Sequence, residues 1–190
     1  MSKAFFDVFP YVKLENRLKA RMEQVTVQKI VNVTSKGFLR VHIASSYLIP
    51  KEDIYKAEEA LSDMLFKSGD NRAVKLYEHF NLSGQYNGRT VMEMYRDSIL
   101  LELKEYSHVL YIIFKKAQIT YPEDNRIHLA LEDTVFVHMQ QEELARILDK
   151  IFVERCGLNV SFTYEYVKPK MFNCCCMLVG TFPFLVICSI

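Results

Sequence analysis

Five histidines (His42, His79, His108, His128 and His138), two acidic pairs (Glu123-Asp124 and Glu132-Asp133) and five cysteines are the side chains that could hold a metal or move a proton. The histidines share no metal-ligand spacing. His42 and His128 fall in strand patterns on the side opposite the apolar residues, where a lone histidine is mostly a structural or surface residue. The acidic pairs flank one predicted strand and could gather a divalent ion in an oxygen cluster. Nothing beside them supplies a phosphate-binding partner, so solvated loops are expected. Cys156 follows an apolar helical stripe, precedes Gly157 and has no histidine near it in sequence, which predicts a small buried side chain rather than a nucleophile. The six glycines build no phosphate-cradling loop, and no G-x-S-x-G elbow occurs. No catalytic, cofactor-binding or metal-ligating residue is assigned on this basis, and no cofactor is expected.

The elements that would position such groups read as follows. AFFDVF, residues 4–9, is an apolar cluster ended by Pro10, and Leu14, Leu18 and Met22 then predict a short helix lying over the domain's own sheet. VTVQKIVNV and FLRVHIA, joined by Ser35–Gly37, predict a hairpin, with Val25, Val27, Val31 and Val33 on one face. Pro50 opens a helix with Ile54, Ala57, Leu61, Met64 and Leu65 as its stripe and Gly69 as its stop. RAVKLYEHFNL reads as a strand with Val74 and Leu76 inward.

After the loop at 83–88, Thr90 and Glu93 suggest a capping box, followed by a long helix with a break near Ser107–His108, ended by Tyr121–Pro122. IHLALE is a strand, QEELARILDKIFVERCG a helix capped by Gly157, and LNVSFTYEY an alternating strand. The expected fold class is α+β: two small two-layer α/β (KH-like) units, β-β-α-β over 24–83 and α-β-α-β over 89–167, after an N-terminal docking segment at 1–23.

Half of the chain is apolar and a quarter charged, so a packed core is within reach and a disordered chain is not the expectation. The net charge of +1 makes no global case for nucleic acid or anionic membrane. A KH-like unit grips a nucleic-acid backbone through a GXXG loop, which this sequence lacks, since Gly84 and Gly88 are one residue too far apart. DNA binding is therefore expected to be weak or absent. Asp7, Pro10 and Lys13 interrupt any secretory signal at the N-terminus, which predicts a cytoplasmic protein.

Several ordered blocks resemble a known family: FDVFPYVKL, HIASSYLIPKEDIYKAEEAL, LYEHFNLSGQY, YRDSILLELKEYS and IFVERCGL before an alternating strand. Together, over roughly residues 4–167, they resemble the N-terminal region of the PolC-type DNA polymerase III alpha subunit. In that family the N-terminal domains precede an OB-fold, a PHP domain holding a proofreading exonuclease, and the polymerase core. The resemblance implies small KH-like folds and a role in replisome organisation, with the clamp-loader tau subunit as partner alongside other replication proteins. It carries over no catalytic residue, because the carboxylates of the polymerase and exonuclease belong to segments outside this sequence. It implies an inactive fragment of a DNA-directed DNA polymerase with 3'-5' exonuclease.

Residues 168–190 depart from the family, and no charge follows Lys170. A tail anchor on a small α/β membrane adaptor would need about 20 apolar residues without the internal Pro183, so a membrane role is unfavoured. The Cys174–Cys176 run suits palmitoylation better than zinc, since adjacent thiols cannot converge on one ion. An out-of-frame or truncated end is the reading with the most weight, because the composition changes where the resemblance stops.

Overall fold

Two strand–strand–helix–strand units, each with its own sheet, make up the α+β fold seen in a computed structural model that describes residues 2–66 and 72–168. The first sheet runs β1 (Lys3–Ala4), β2 (Thr26–Val33), β3 (Phe38–Ser45), β4 (Ala73–Phe80) in that spatial order. Strands β2 and β3 pair antiparallel through the turn at Gly37, whose φ of +65° is the left-handed conformation that glycine adopts without steric cost. Helix α3 (Lys51–Leu65) crosses over, and β4 returns parallel to β3.

Helix α1 (Phe5–Val8) and helix α2 (Asn16–Met22) cover this sheet, with Phe5, Phe9, Leu18 and Met22 buried and the Phe5 amide bonded to the Val25 carbonyl at 2.9 Å. The peripheral-helix expectation for this segment holds. The Gly69 stop lies outside the described residues; α3 ends with Phe66 as its C-cap.

The second unit repeats the first. Helices α4 (Gly88–Tyr106) and α5 (His108–Lys116) precede an antiparallel pair, β5 (Gln118–Glu123) and β6 (Arg126–Glu132). Helix α6 (Val135–Asp149) then crosses over to β7 (Ser161–Val167), which lies parallel to β6. The expected α-β-α-β order is corrected here to α-α-β-β-α-β. Strand β5 was hidden by Pro122, which reads as a stop. An edge strand tolerates proline at a bulge, and the β5–β6 register shifts between Thr120 and Glu123, where Tyr121 and Pro122 lie.

Three local expectations also change. The N-cap of α4 is Asn87, not Thr90. The Asn87 side chain accepts from the Thr90 amide at 2.8 Å, the Thr90 hydroxyl accepts from the Asn87 amide at 2.9 Å, and Glu93 pairs with Arg89 instead. Helix α6 begins at Val135, capped by Thr134, and winds into a π-type turn over Lys150–Arg155 before Gly157 at φ +66°. In β2 a bulge between Val27 and Lys29 reverses the alternation, so Ile30 pairs with the inward Val41 while Val31 pairs with the outward Arg40. The predicted single valine face is thus split between two faces.

The break predicted near Ser107 is real. Ser107 is extended, and its side chain caps α5. One apolar core runs through both units, from Phe5, Ile54 and Leu61 to Leu129, Leu148 and Phe152. Helix α4 joins them. Gly88 donates to Asn125 Oδ1 at 2.8 Å on one side, and Ser98 Oγ accepts from the Lys51 amide at 3.0 Å on the other. No helix among the described residues is long and apolar enough to cross a membrane. The readings of the apolar tail fall on residues outside the described ones.

Candidate functional site

The alternation that turns Val74 and Leu76 inward on β4 also turns Glu78 inward, where a carboxylate needs a partner. Lys51, at the first turn of α3, supplies it, with Nζ 2.6 Å from Glu78 Oε1. From the second unit, Arg155 in the π-type turn forms a forked pair with Glu102 of α4, at 2.7 and 2.8 Å. The two pairs touch. Lys51 Nζ lies 3.9 Å from Glu102, and Arg155 Nε lies 3.9 Å from Glu78. Two cations and two anions therefore alternate in a neutral square buried where the units meet.

Burial pushes the Glu102 carboxyl up, but the hydrogen bonds and charge of Arg155, helped by Lys51 and Lys150, outweigh it and hold the group below the usual carboxylate value. Burial likewise pulls Arg155 down, while Glu102 and Glu78 more than compensate.

This square forms the floor of a cleft of about 530 Å³ bounded by β4, α3, α4 and the π-type turn, with Tyr55, Tyr77, His42, His79 and Lys150 on its walls. Edge strand β4 is closed on the α3 side by side chains. Ser62 Oγ accepts from the Val74 amide at 2.9 Å, and Glu58 accepts from the Leu76 amide at 2.7 Å. Burial, then the surrounding carboxylates, raise the Tyr55 hydroxyl, so it stays protonated at neutral pH. The arrangement pairs its own charges and presents no nucleophile beside a base.

The residues singled out in the sequence do not converge. His128 lies between Thr163 and Glu165, His138 pairs with Asp133, and His108 stacks on Tyr111. Glu132 bonds Lys116 and Glu123 pairs with Arg126, so the two acidic pairs are spent separately. Among the described residues no cluster of three His, Cys, Asp or Glu could hold a metal ion. Cys156 is buried as expected, and burial pushes its thiol up to about 12, far from a thiolate at neutral pH. Lys51, Glu78, Glu102 and Arg155 went unrecognised because their partners lie 27 to 53 residues apart. The one available signal was Glu78 at an inward strand position.

A second feature is apolar. Val109 and Ile112 of α5 face Phe136 and Val137 of α6 across a groove of about 170 Å³, with the Lys116–Glu132 pair at its rim. Val135, Phe136 and Met139 are more than 70% exposed, a concentration of bare apolar surface of the kind that marks interaction sites.

Comparison with curated proteins and with solved structures returned no match. Comparison with protein families matched residues 4–75 to the family described as DNA polymerase III polC-type N-terminus I. That stretch contains FDVFPYVKL and HIASSYLIPKEDIYKAEEAL, while the later resembling blocks lie beyond it. Residues 4–75 of this chain match the N-terminal region of PolC-type DNA polymerase III, the family that the ordered blocks resemble.

Proposed function

We propose that the chain is a non-catalytic interaction module of a PolC-type replicative polymerase, working in DNA replication in the cytoplasm, with the clamp-loader tau subunit as its partner. The family match at residues 4–75 supports the polymerase family and DNA replication, while the tau partner rests on the resemblance alone. Two further observations support an interaction role. The charged residues of the junction are consumed in pairing one another, and the exposed Phe136, Val135 and Met139 beside the α5–α6 groove suit an apolar contact. The repeated strand–strand–helix–strand order is compatible with KH-like units that have lost the backbone-gripping loop.

The test is co-purification of the whole chain with its cognate tau subunit. Retention is expected at micromolar concentration, and Phe136→Asp is expected to weaken it at least tenfold without unfolding the protein. No retention at that concentration would reject the partner.

A further inference from the structure

The outer face of the first sheet carries a charge pattern that the net charge of the chain conceals. The registers of β2, β3 and β4 place Lys29, Arg40, His42, Lys75, Tyr77 and His79 on this side together with Phe38. None of these side chains is buried, and no carboxylate projects from these three strands on the same face. The guanidinium of Arg40 lies 4.5 Å from the Tyr77 ring centroid and 5.7 Å from that of Phe38, and His42 lies 5.5 Å from Tyr77.

Among the described residues, Lys29 makes no ion pair, Arg40 has only ring contacts, and the Arg40 Nε has no hydrogen-bond partner. The carboxylates nearby come from the walls. Glu58 of α3 takes Lys75 at 2.9 Å, and Glu154 stands in the cleft one turn from Lys150. Burial first, then Arg40 and Lys29, lower the His42 pKa, which is what a positive field on this face does. The matching face of the second sheet carries Glu132 and Glu165 beside Arg126 and His128, with no phenylalanine or tyrosine.

We propose that this open face of the first sheet binds single-stranded nucleic acid, with Lys29 on the face, Lys75 exchanging Glu58 for a phosphate, and Lys150 on the wall of the adjoining cleft meeting phosphates while bases stack on the Phe38–Arg40–Tyr77 platform. Charge complementarity selects a polyanion, and the flat rings and guanidinium plane select one with stackable bases over an acidic peptide. Among the described residues the helices that pack on this sheet, α1, α2 and α3, lie against the inward side chains, which leaves the outer face of the strands to such a ligand. Weak DNA binding was expected from the missing GXXG loop, and the net charge made no global case for it, but binding depends on how charge is distributed, and here it is segregated by face.

The test is a titration of the whole chain into a fluorescein-labelled oligothymidylate of about fifteen nucleotides, followed by anisotropy at several salt concentrations. Three phosphate contacts predict a slope of log affinity against log salt near about −2, so affinity falls roughly tenfold to twentyfold between about 50 and 200 mM salt. Lys29→Gln is expected to reduce that slope by about 0.7. Tyr77→Leu is expected to weaken binding at every salt concentration with the slope unchanged. Lys115→Gln on α5 serves as a control and is expected to change nothing. Circular dichroism checks folding; if Tyr77→Leu unfolds, the exposed Lys29→Gln still decides. Absence of binding at roughly 100 µM protein in low salt, or equal losses from Lys29→Gln and Lys115→Gln, overturns the proposal. So does a poly-glutamate peptide that binds as tightly as the oligonucleotide.

Discussion

Arg155, in the turn that follows α6, grips Glu102 near the C-terminal end of α4 with two hydrogen bonds of 2.7 and 2.8 Å, although 53 residues separate them. A planar guanidinium meeting a carboxylate in this way fixes orientation as well as distance. Their contacts to Lys51 and Glu78 carry the lock into the first unit. Arg155→Met is therefore expected to strand the Glu102 carboxylate, while Glu78 keeps Lys51, and to cost about 3–5 kcal/mol. Adding Glu102→Leu to that variant is expected to cost less than the sum of the two single changes. Urea denaturation of the four proteins of the cycle measures this, and strict additivity would count against a coupled network.

The same square makes stability depend on acid. The folded pKa of Glu102 lies below its ordinary value of 4.5, so its contribution is present above that value and is lost as pH falls toward the folded pKa. Thermal unfolding from neutral pH down through the carboxylate range is expected to show a falling midpoint. Glu102→Gln is expected to start lower at neutral pH and to flatten that fall. A variant that tracks the parent protein across the range would show that Glu102 is not a source of the dependence.

Gly88 holds α4 against the second sheet. A Cβ there would meet Val160 Cγ2 at 2.8 Å and the Asp124 carbonyl at 3.2 Å. Gly88→Ala is expected to destabilise by about 1–3 kcal/mol despite the better helix propensity of alanine. Shortening the neighbour in Gly88→Ala/Val160→Ala is expected to recover part of the loss relative to the two single variants combined. Asn87→Ala, which removes the adjacent cap, is expected to cost about 1 kcal/mol by the separate route of an unsatisfied helix amide. Chemical denaturation curves distinguish the two effects.

Cys156 is expected to be inert. With its thiol pushed up to about 12 by burial, alkylation by iodoacetamide at neutral pH is expected to leave it unmodified in the folded protein and to modify it fully in denaturant. Peptide mapping by mass spectrometry reads this residue separately from the other cysteines. Rapid labelling of the folded chain at Cys156 would show that the site opens.

What the amino-acid order determined by itself is the set of elements whose pattern is complete within a few residues. The β2–β3 hairpin needed only Gly37 between two apolar runs, α3 showed its stripe from Ile54 to Leu65, and the alternation through Phe162, Tyr164 and Tyr166 announced β7. Burial of Cys156 followed from the stripe before it. Periodicity is local, so it is legible locally.

Only the tertiary structure decided the rest. Strand β5 exists because β6 pairs with it across a proline-containing bulge, a partner that Gln118–Glu123 cannot reveal alone. The bulge in β2 sends Val31 to the face of Arg40 and leaves Ile30 opposite Val41, because one inserted residue inverts every side chain beyond it. The charge square and the basic platform share that origin. An ionic side chain finds its counter-charge or its ring through space, and chain topology decides which of the 47 charged residues share a surface or a buried junction.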